Sequence, residues 1–448
     1  MTSSSSIPDS LVDAETQSSS HATLVLLGLF FAAGVVYLVS LPIRALWKAV
    51  PQRKPKLPKR EASSSDITTS SQPSQKAAEP QKPGVSMKQL MKKTNQNPTK
   101  AQSAVTDKAT HHPAYLNTLK GHTDNVGGLA FSADGSALAT ACEDRVIRLF
   151  KLTDITAKNM GFMKHNMITT PVDVAFGSAP NLLAVTARGI VQEANLSMVH
   201  LGSNKASEQH ILWQVPNSHD GRPAVLLQSA HRSQTSGVLL SCSAKNELRL
   251  FSFAGKQLAS VDAAGLHNHM AAISLDGRFF AAATFTSDVK IHEVRYDKQN
   301  AYQSVAKVMD LKGHKSQILC LAFAPDATKM VTASKDGTWR VWNINVRYHQ
   351  QEDPKTLLQH QQEVPAGQAY TRLAWGPHGL LAAACDSSIH FLDPATGSRV
   401  DAIDAAHDAA VLNMEWAPTT IPVGSQQVAV LATAGDDRKV RLWQSLQK

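Results

Sequence analysis

The chain has 448 residues and a formal net charge of +9, with 43% hydrophobic and 18% charged residues. That hydrophobic share supports a large packed core and excludes disorder throughout. The charge is uneven: residues 1–41 carry a net −3, residues 42–112 a net +10, and the remaining 336 residues only +2. A near-neutral body is a poor polyanion surface as a whole, because non-specific nucleic-acid affinity scales with the phosphates neutralised. Cys142, Cys242, Cys320 and Cys385 lie far apart in apolar stretches with no Cys-x-x-Cys pair. They read as buried, reduced thiols rather than disulfides or a zinc site.

After a short acidic tail (1–21), residues 22–41 (ATLVLLGLFFAAGVVYLVSL) contain no charge. A helix of this length spans about 30 Å, the hydrocarbon thickness of a bilayer. The acidic start and the lack of a small-x-small cleavage site favour a retained transmembrane helix over a signal peptide. Arg44, Lys48, Arg53, Lys54, Lys56, Lys59 and Arg60 follow the span, and no basic residue precedes it. Cytoplasmic flanks collect Lys and Arg, so the amino terminus is expected to be lumenal and the rest cytosolic. Residues 42–112, rich in Ser, Thr, Gln, Pro and Lys, are expected to form a disordered basic linker, with RNA or anionic lipid as the partners its charge would suit.

From 113 to 448 the sequence repeats. LAFSADG (129–135), LAFAPDA (321–327), LAWGPHG (373–379) and MEWAPTT (414–420), with the weaker copy AAISLDG (271–277), are strands running into turns. A second strand closes each unit: DRVIRLF, KNELRLF, SDVKIHEV, DGTWRVW, DSSIHFL and DRKVRLW. These closing positions fall at 150, 251, 292, 342, 392 and 443, so one weak unit occupies the double-length first gap. Seven all-strand units of this period predict a seven-bladed β-propeller. His122, His314 and His407 each precede an aromatic residue (Phe131, Phe323, Trp416) by nine positions. Both His122 to Asp144 and His314 to Asp336 span 22. The chain stops soon after Trp443, leaving the last blade one strand short, and the unclaimed strand at 115–119 (YLNTL) is expected to fill that edge.

Gly-His openings and a closing Trp resemble WD40 repeats. The resemblance implies a structural hydrogen-bonded chain of His, Ser or Thr, Asp and Trp in each blade. Its members here would be His122 and Asp144; His314, Ser334, Asp336 and Trp342; Asp386; and His407, Asp437 and Trp443. Only the fifth unit looks complete. The first has Cys142 and Phe150 where Ser and Trp are expected, the third has Lys245 in place of Asp, and the second, near 165–215, is barely recognisable. The resemblance also places Glu143, Arg145, Lys335, Asp436 and Arg438 on one rim as candidate interaction residues, with Cys385 at the same position in the sixth unit. Within the family, 276–294, 310–323 and 334–354, with the apolar span and basic linker, are similar to an endoplasmic-reticulum membrane member. That likeness implies a scaffold associated with the stress-activated kinase of that membrane and with translation control.

Catalytic constellations are lacking in the sequence: there is no GxxxxGK[ST], GxSxG or HExxH motif. His292-Glu293 sits where a closing aromatic is expected, and His267 and His269 have no third ligand nearby. The turn aspartates belong to different units and do not converge. No enzyme, cofactor, metal or small-molecule substrate is therefore expected. Nucleotide exchange on a small GTPase at the endoplasmic reticulum, and RNA or ribosome tethering through the linker, are the rival readings. Asn195-Leu-Ser, the one usable glycosylation sequon, would report topology.

Overall fold

The computed structural model describes residues 108–189, 193–202, 209–233, 236–263 and 265–445. The chain divides into two units, 1–96 and 97–448, and every described residue belongs to the second. The apolar span at 22–41, its basic flank and the acidic tail lie outside the described residues, as does the linker up to 107. Among the described residues no helix is long and apolar enough to cross a membrane.

Seven four-stranded antiparallel sheets form the ring, as the repeat period predicts. Blades 1 to 6 span 126–166, 170–215, 224–262, 268–311, 318–361 and 372–403, each a simple meander. Blade 7 takes three strands from 411–444 and its fourth from Tyr115–Leu119. That strand pairs Tyr115 with Trp443 and Leu119 with Val440, so the two ends of the domain close the ring by hydrogen bonding. The weak second unit is a full blade, with strands Thr170–Phe176, Leu182–Arg188, Ala194–Leu201 and Gln209–Val215.

Burial explains the composition of each strand position. The second strands Ala137–Cys142, Phe279–Thr284, Leu381–Cys385 and Val430–Gly435 are buried at every residue, because neighbouring blades cover both faces. They are correspondingly rich in Ala, whose small side chain lets the sheets approach. Outer strands such as Gln257–Asp262 are largely open to solvent. All four cysteines are free and buried.

The inner strands are laced across blade boundaries by side chains. Leu227 N–H donates to Asp173 Oδ2 at 2.8 Å, and Ile273 N–H to Gln228 Oε1 at 3.0 Å. Arg372 Nε donates to Leu412 O at 2.7 Å, and Asn413 Nδ2 to Gly127 O at 3.2 Å. A Cβ on Gly128 would lie 2.7 Å from Asp173 Cα, so blades 1 and 2 meet this closely only with glycine there. Around the axis the seven inner strands line a cavity of about 450 Å³.

Order begins earlier than the sequence suggests. Lys108–His111 forms a 3-10 turn, and Ala109 is buried in a cluster with Trp416 and Trp443 of blade 7. Residues 108–112, assigned to the linker by sequence, are thus part of the described structure, with Ala109 packed against blade 7.

Candidate functional site

Within each blade the turn between the second and third strands, and the crossing that enters the next blade, fall on the same face of the ring, here called upper. Blade 5 carries a complete hydrogen-bonded chain on that side. His314 Nδ1 lies 3.0 Å from Asp336 Oδ2, and Nε2 lies 2.8 Å from Thr332 Oγ1. Trp342 Nε1 donates to the same hydroxyl at 2.8 Å. The hydroxyl member is thus Thr332 and not Ser334, which instead donates to Ser316 O and Gln317 O and receives Asp336 N–H. Ser334 ends its strand and faces the turn, whereas Thr332, two residues back, lies level with the histidine and indole.

Blade 7 repeats the arrangement: His407 contacts Asp437 Oδ1 at 2.9 Å and Thr433 Oγ1 at 2.8 Å, and Trp443 Nε1 donates to Thr433 at 2.9 Å. The fifth unit is therefore one of two complete ones. The sequence conceals Thr433 because it, too, stands two residues before the strand end. In blade 3, His219 joins Ser241 at 2.8 Å and Glu247 at 3.2 Å, with Phe251 in the Trp position. Glu247, two residues beyond Lys245, supplies the carboxylate through its longer side chain. In blade 1, Thr140 rather than Cys142 meets His122, at 2.9 Å. Asp144 turns to Arg148 Nη2 at 2.6 Å and to Thr123, leaving His122 Nδ1 without a partner.

Blade 6 departs from the pattern. Asp386 is exposed in a left-handed turn conformation (φ 51°), and Ala383 stands where the hydroxyl would be, opposite His390. Asp386 therefore joins no such chain; His390 Nδ1 pairs with the Tyr370 hydroxyl at 3.0 Å instead. His292 of blade 4 stacks on Phe280 at 5.1 Å, and Glu293 is held by Arg278 and Arg295. His267 and His269 pack against the Phe285 ring. Among the described residues no His/Cys/Asp/Glu group has metal-binding geometry.

One recurrent residue escaped the sequence reading. Arg148, Arg249, Arg340 and Arg441 each stand two positions before the closing aromatic and donate to the carbonyl just before the blade's histidine. The acceptors are Gly121 O at 2.5 Å, Ser218 O at 2.9 Å, Gly313 O at 2.7 Å and Ala406 O. The signal is present in VIRLF, ELRLF, TWRVW and VRLW as an Arg at one fixed place in an otherwise apolar strand.

Electrostatics follow from these partners. Burial disfavours the Asp336 carboxylate, but hydrogen bonds from Thr338, Lys315 N–H and His314 outweigh it and hold its pKa down at about 2. Burial also opposes ionisation of Asp144, yet Arg148 and Thr123 N–H bring it down to about 2. Desolvation, then Arg148, push His122 down to about 4, so it is neutral at physiological pH. In the ring interior burial pushes Asp173 up to about 7 and Glu415 up to about 8.

Glu143, Arg145, Lys335, Asp436 and Arg438 are all exposed in these upper-face turns. Arg145 and Arg438 adopt φ 64°, which turns the backbone between the two strands. Cys385, at the matching place in blade 6, is buried and donates to Gln368 Oε1 at 3.0 Å, so it contributes no exposed group.

Comparison with known proteins agrees with this architecture. The model of the WD domain, G-beta repeat, matches residues 114–151 and 306–343, the first and fifth units with the strands that lead into them. Ring topology defines a seven-bladed β-propeller, and two of its units match the WD40 repeat, whose family consists generally of non-enzymatic scaffolds. The chain is similar to transducin beta-like protein 2. It is 28% identical to the Homo sapiens protein over 335 residues, covering 74% of this chain and 72% of that one. It is 26% identical to the Mus musculus protein over 372 residues, covering 82% and 79%. A shorter likeness, 32% over 123 residues, links 25% of the chain to WD repeat and HMG-box DNA-binding protein 1 of Mus musculus and covers 11% of that protein.

Proposed function

We propose that this protein is a membrane-anchored scaffold whose propeller presents its upper face to cytosolic protein partners. Residues 22–41 would span the endoplasmic-reticulum membrane once with the amino terminus lumenal. The partners would be the stress-activated kinase of that membrane and components of translation. The observation that carries the reading is the upper-face turn set: Glu143, Arg145, Lys335, Asp436 and Arg438 are exposed, and none is in an ion pair among the described residues. Rigid alternating charge of this kind selects partners by electrostatic complementarity. Residue 115 begins its strand beside Trp443, at the lower end of blade 7, so the strand Tyr115–Leu119 runs toward the upper face from below. Tethering would raise the local concentration of whatever binds there.

The experiment is co-purification of the kinase and of ribosomal proteins with the full-length chain and with a charge-reversed rim (Lys335→Glu, Asp436→Lys, Arg438→Glu). Loss of these partners from the variant supports the reading, and unchanged recovery overturns it. A glycan at Asn195 sensitive to endoglycosidase would overturn the cytosolic placement. The net +10 of residues 42–112 favours a second reading, an RNA or ribosome tether, which deletion of 49–107 would abolish while protein partners remained.

A further inference from the structure

The upper face is chemically divided. Across blades 3 and 4 it exposes large apolar side chains: Leu266 is 80% exposed, Phe285 50% and Val225 37%, with Ile168, 94% exposed, further round at the entry to blade 2. Leu266 lies in the crossing between Gln257–Asp262 and Asn268–Ile273, and Phe285 in the turn after Phe279–Thr284, so both belong to upper-face loops. The patch is continuous toward the axis: the Phe285 ring lies 4.8 Å from that of His269, which lines the axial cavity together with Val225. Scattered apolar residues need no explanation, but a contiguous exposed group at the mouth of a cavity marks a binding surface.

Charge on the same face is also partitioned. Blades 1 to 5 expose Arg145, Arg188, Lys245, Lys315 and Lys335, none in an ion pair among the described residues. Acids exposed there are fewer: Glu143, Asp262, and Asp220, which is held by Arg249. The opposite arc, blades 6 and 7 with their crossings, exposes Glu363, Asp386, Asp404, Asp408 and Asp436. The apolar patch therefore sits inside the basic arc and away from the acidic one. A basic lining around an apolar centre complements a segment that is acidic and carries apolar anchors.

We propose that the upper face of blades 2 to 5 docks an acidic linear peptide, seating Leu- or Phe-type anchors on Val225, Leu266 and Phe285 and pairing its carboxylates with Arg188, Lys245, Lys315 and Lys335. This rests on the scaffold reading and supplies the chemistry of one class of partner. A folded polyanion such as RNA would use the basic side chains but would gain nothing from Leu266 and Phe285.

The test uses the full-length chain and three labelled probes: a synthetic Asp/Glu-rich peptide containing Leu and Phe, the same peptide with Ser at those positions, and a single-stranded RNA. The Leu/Phe peptide should bind at least about tenfold more tightly than its Ser counterpart, the margin that anchors in a well-packed site typically supply. Leu266→Ser with Phe285→Ser should erase that margin. Lys245→Glu with Lys335→Glu should weaken the Leu/Phe peptide by about tenfold and steepen its loss with salt less than in the parent. Leu266, Lys245 and Lys335 are exposed, so thermal melting should change little there, whereas Phe285→Ser, whose ring packs against His267 and His269, should lower it slightly. Equal binding of both peptides, or RNA binding that displaces the peptide while both peptides bind alike, overturns the proposal in favour of a simple polyanion surface. If the variants bind the peptide normally while the rim reversal still removes the kinase and ribosomal proteins, this inference falls and the scaffold reading stands.

Discussion

Blades 5 and 7 keep every member of the His–Thr–Asp–Trp chain, while among the described residues blades 2, 4 and 6 lack it, and the two groups sit in one ring with the same four-stranded topology. The chain of polar groups is thus not what makes a blade. Apolar faces packed between neighbours do that, and the buried, Ala-rich second strands run through blades of both kinds. What the polar chain adds is a fixed tie between the upper crossing and the strands beneath it. Where it is absent, in blades 2 and 4, the upper face carries exposed Ile168, Leu266 and Phe285 at the entries and turns. Blade 6, which also lacks it, exposes no large apolar side chain on that face among the described residues, so loss of the chain alone does not create the apolar patch.

The largest effect should come from ring closure, which both groups of blades depend on. Deleting 113–119 leaves the edge of Val440–Gln444 unpaired and uncovers the cluster around Trp443. Thermal melting should then fall by more than about 10 °C or lose cooperativity, since losing a strand and the cluster it covers costs several kcal/mol at roughly 2 °C or less each in a domain this large. Normal melting would mean that blade 7 closes by other means.

Within the complete blades, Thr332→Val strips the shared partner from His314 and Trp342 and should cost about 1–3 kcal/mol for the polar groups left unpaired. Ser334→Ala should cost less, because its bonds go to turn carbonyls near solvent. Urea unfolding of the pair decides the assignment, and an equal or larger loss at Ser334 would contradict it.

Acid separates the rim from the interior. The folded pKa of Asp336 is depressed to about 2, so its stabilising contribution is present above its unfolded value near 3.8 and is lost as pH falls through about 2. Glu415 is raised to about 8, so folding favours its protonated form. Its cost is absent below the unfolded value near 4.5 and grows as pH rises toward 8. Glu415→Gln should accordingly raise the melting temperature at pH 8 more than at pH 5. An equal change at both would show that Glu415 does not titrate in this range. The smallest expected effect is at Ala327, which holds φ 54° where Gly135 and Gly277 occupy the matching turns. Ala327→Gly should stabilise blade 5 by up to about 1 kcal/mol, relieving the left-handed strain of a Cβ.

Much of this architecture was legible in the sequence because propeller strands repeat at a fixed period. The seven units, the closure by 115–119 and the His-to-Asp spacing follow from pattern alone. The hydroxyl member did not, because Thr332 and Ser334 share one strand face and differ only in depth, which sequence spacing does not encode. Glu247 was hidden because a carboxylate two residues displaced reaches the same histidine by a longer side chain. Arg148, Arg249, Arg340 and Arg441 were visible as letters but not as a role, since their acceptors are backbone carbonyls. The apolar arc was hidden because Leu266 and Phe285 are ordinary letters until loop geometry leaves them uncovered.

Amide hydrogen exchange on the full-length chain tests the central contrast most directly, since protection reports local opening blade by blade. Exchange should be slowest in Lys329–Ser334 and Val430–Gly435, and faster in the second strands of blades 2 and 4, Leu182–Arg188 and Phe279–Thr284. Protection that is uniform around the ring, or greatest in blades 2 and 4, would contradict the account.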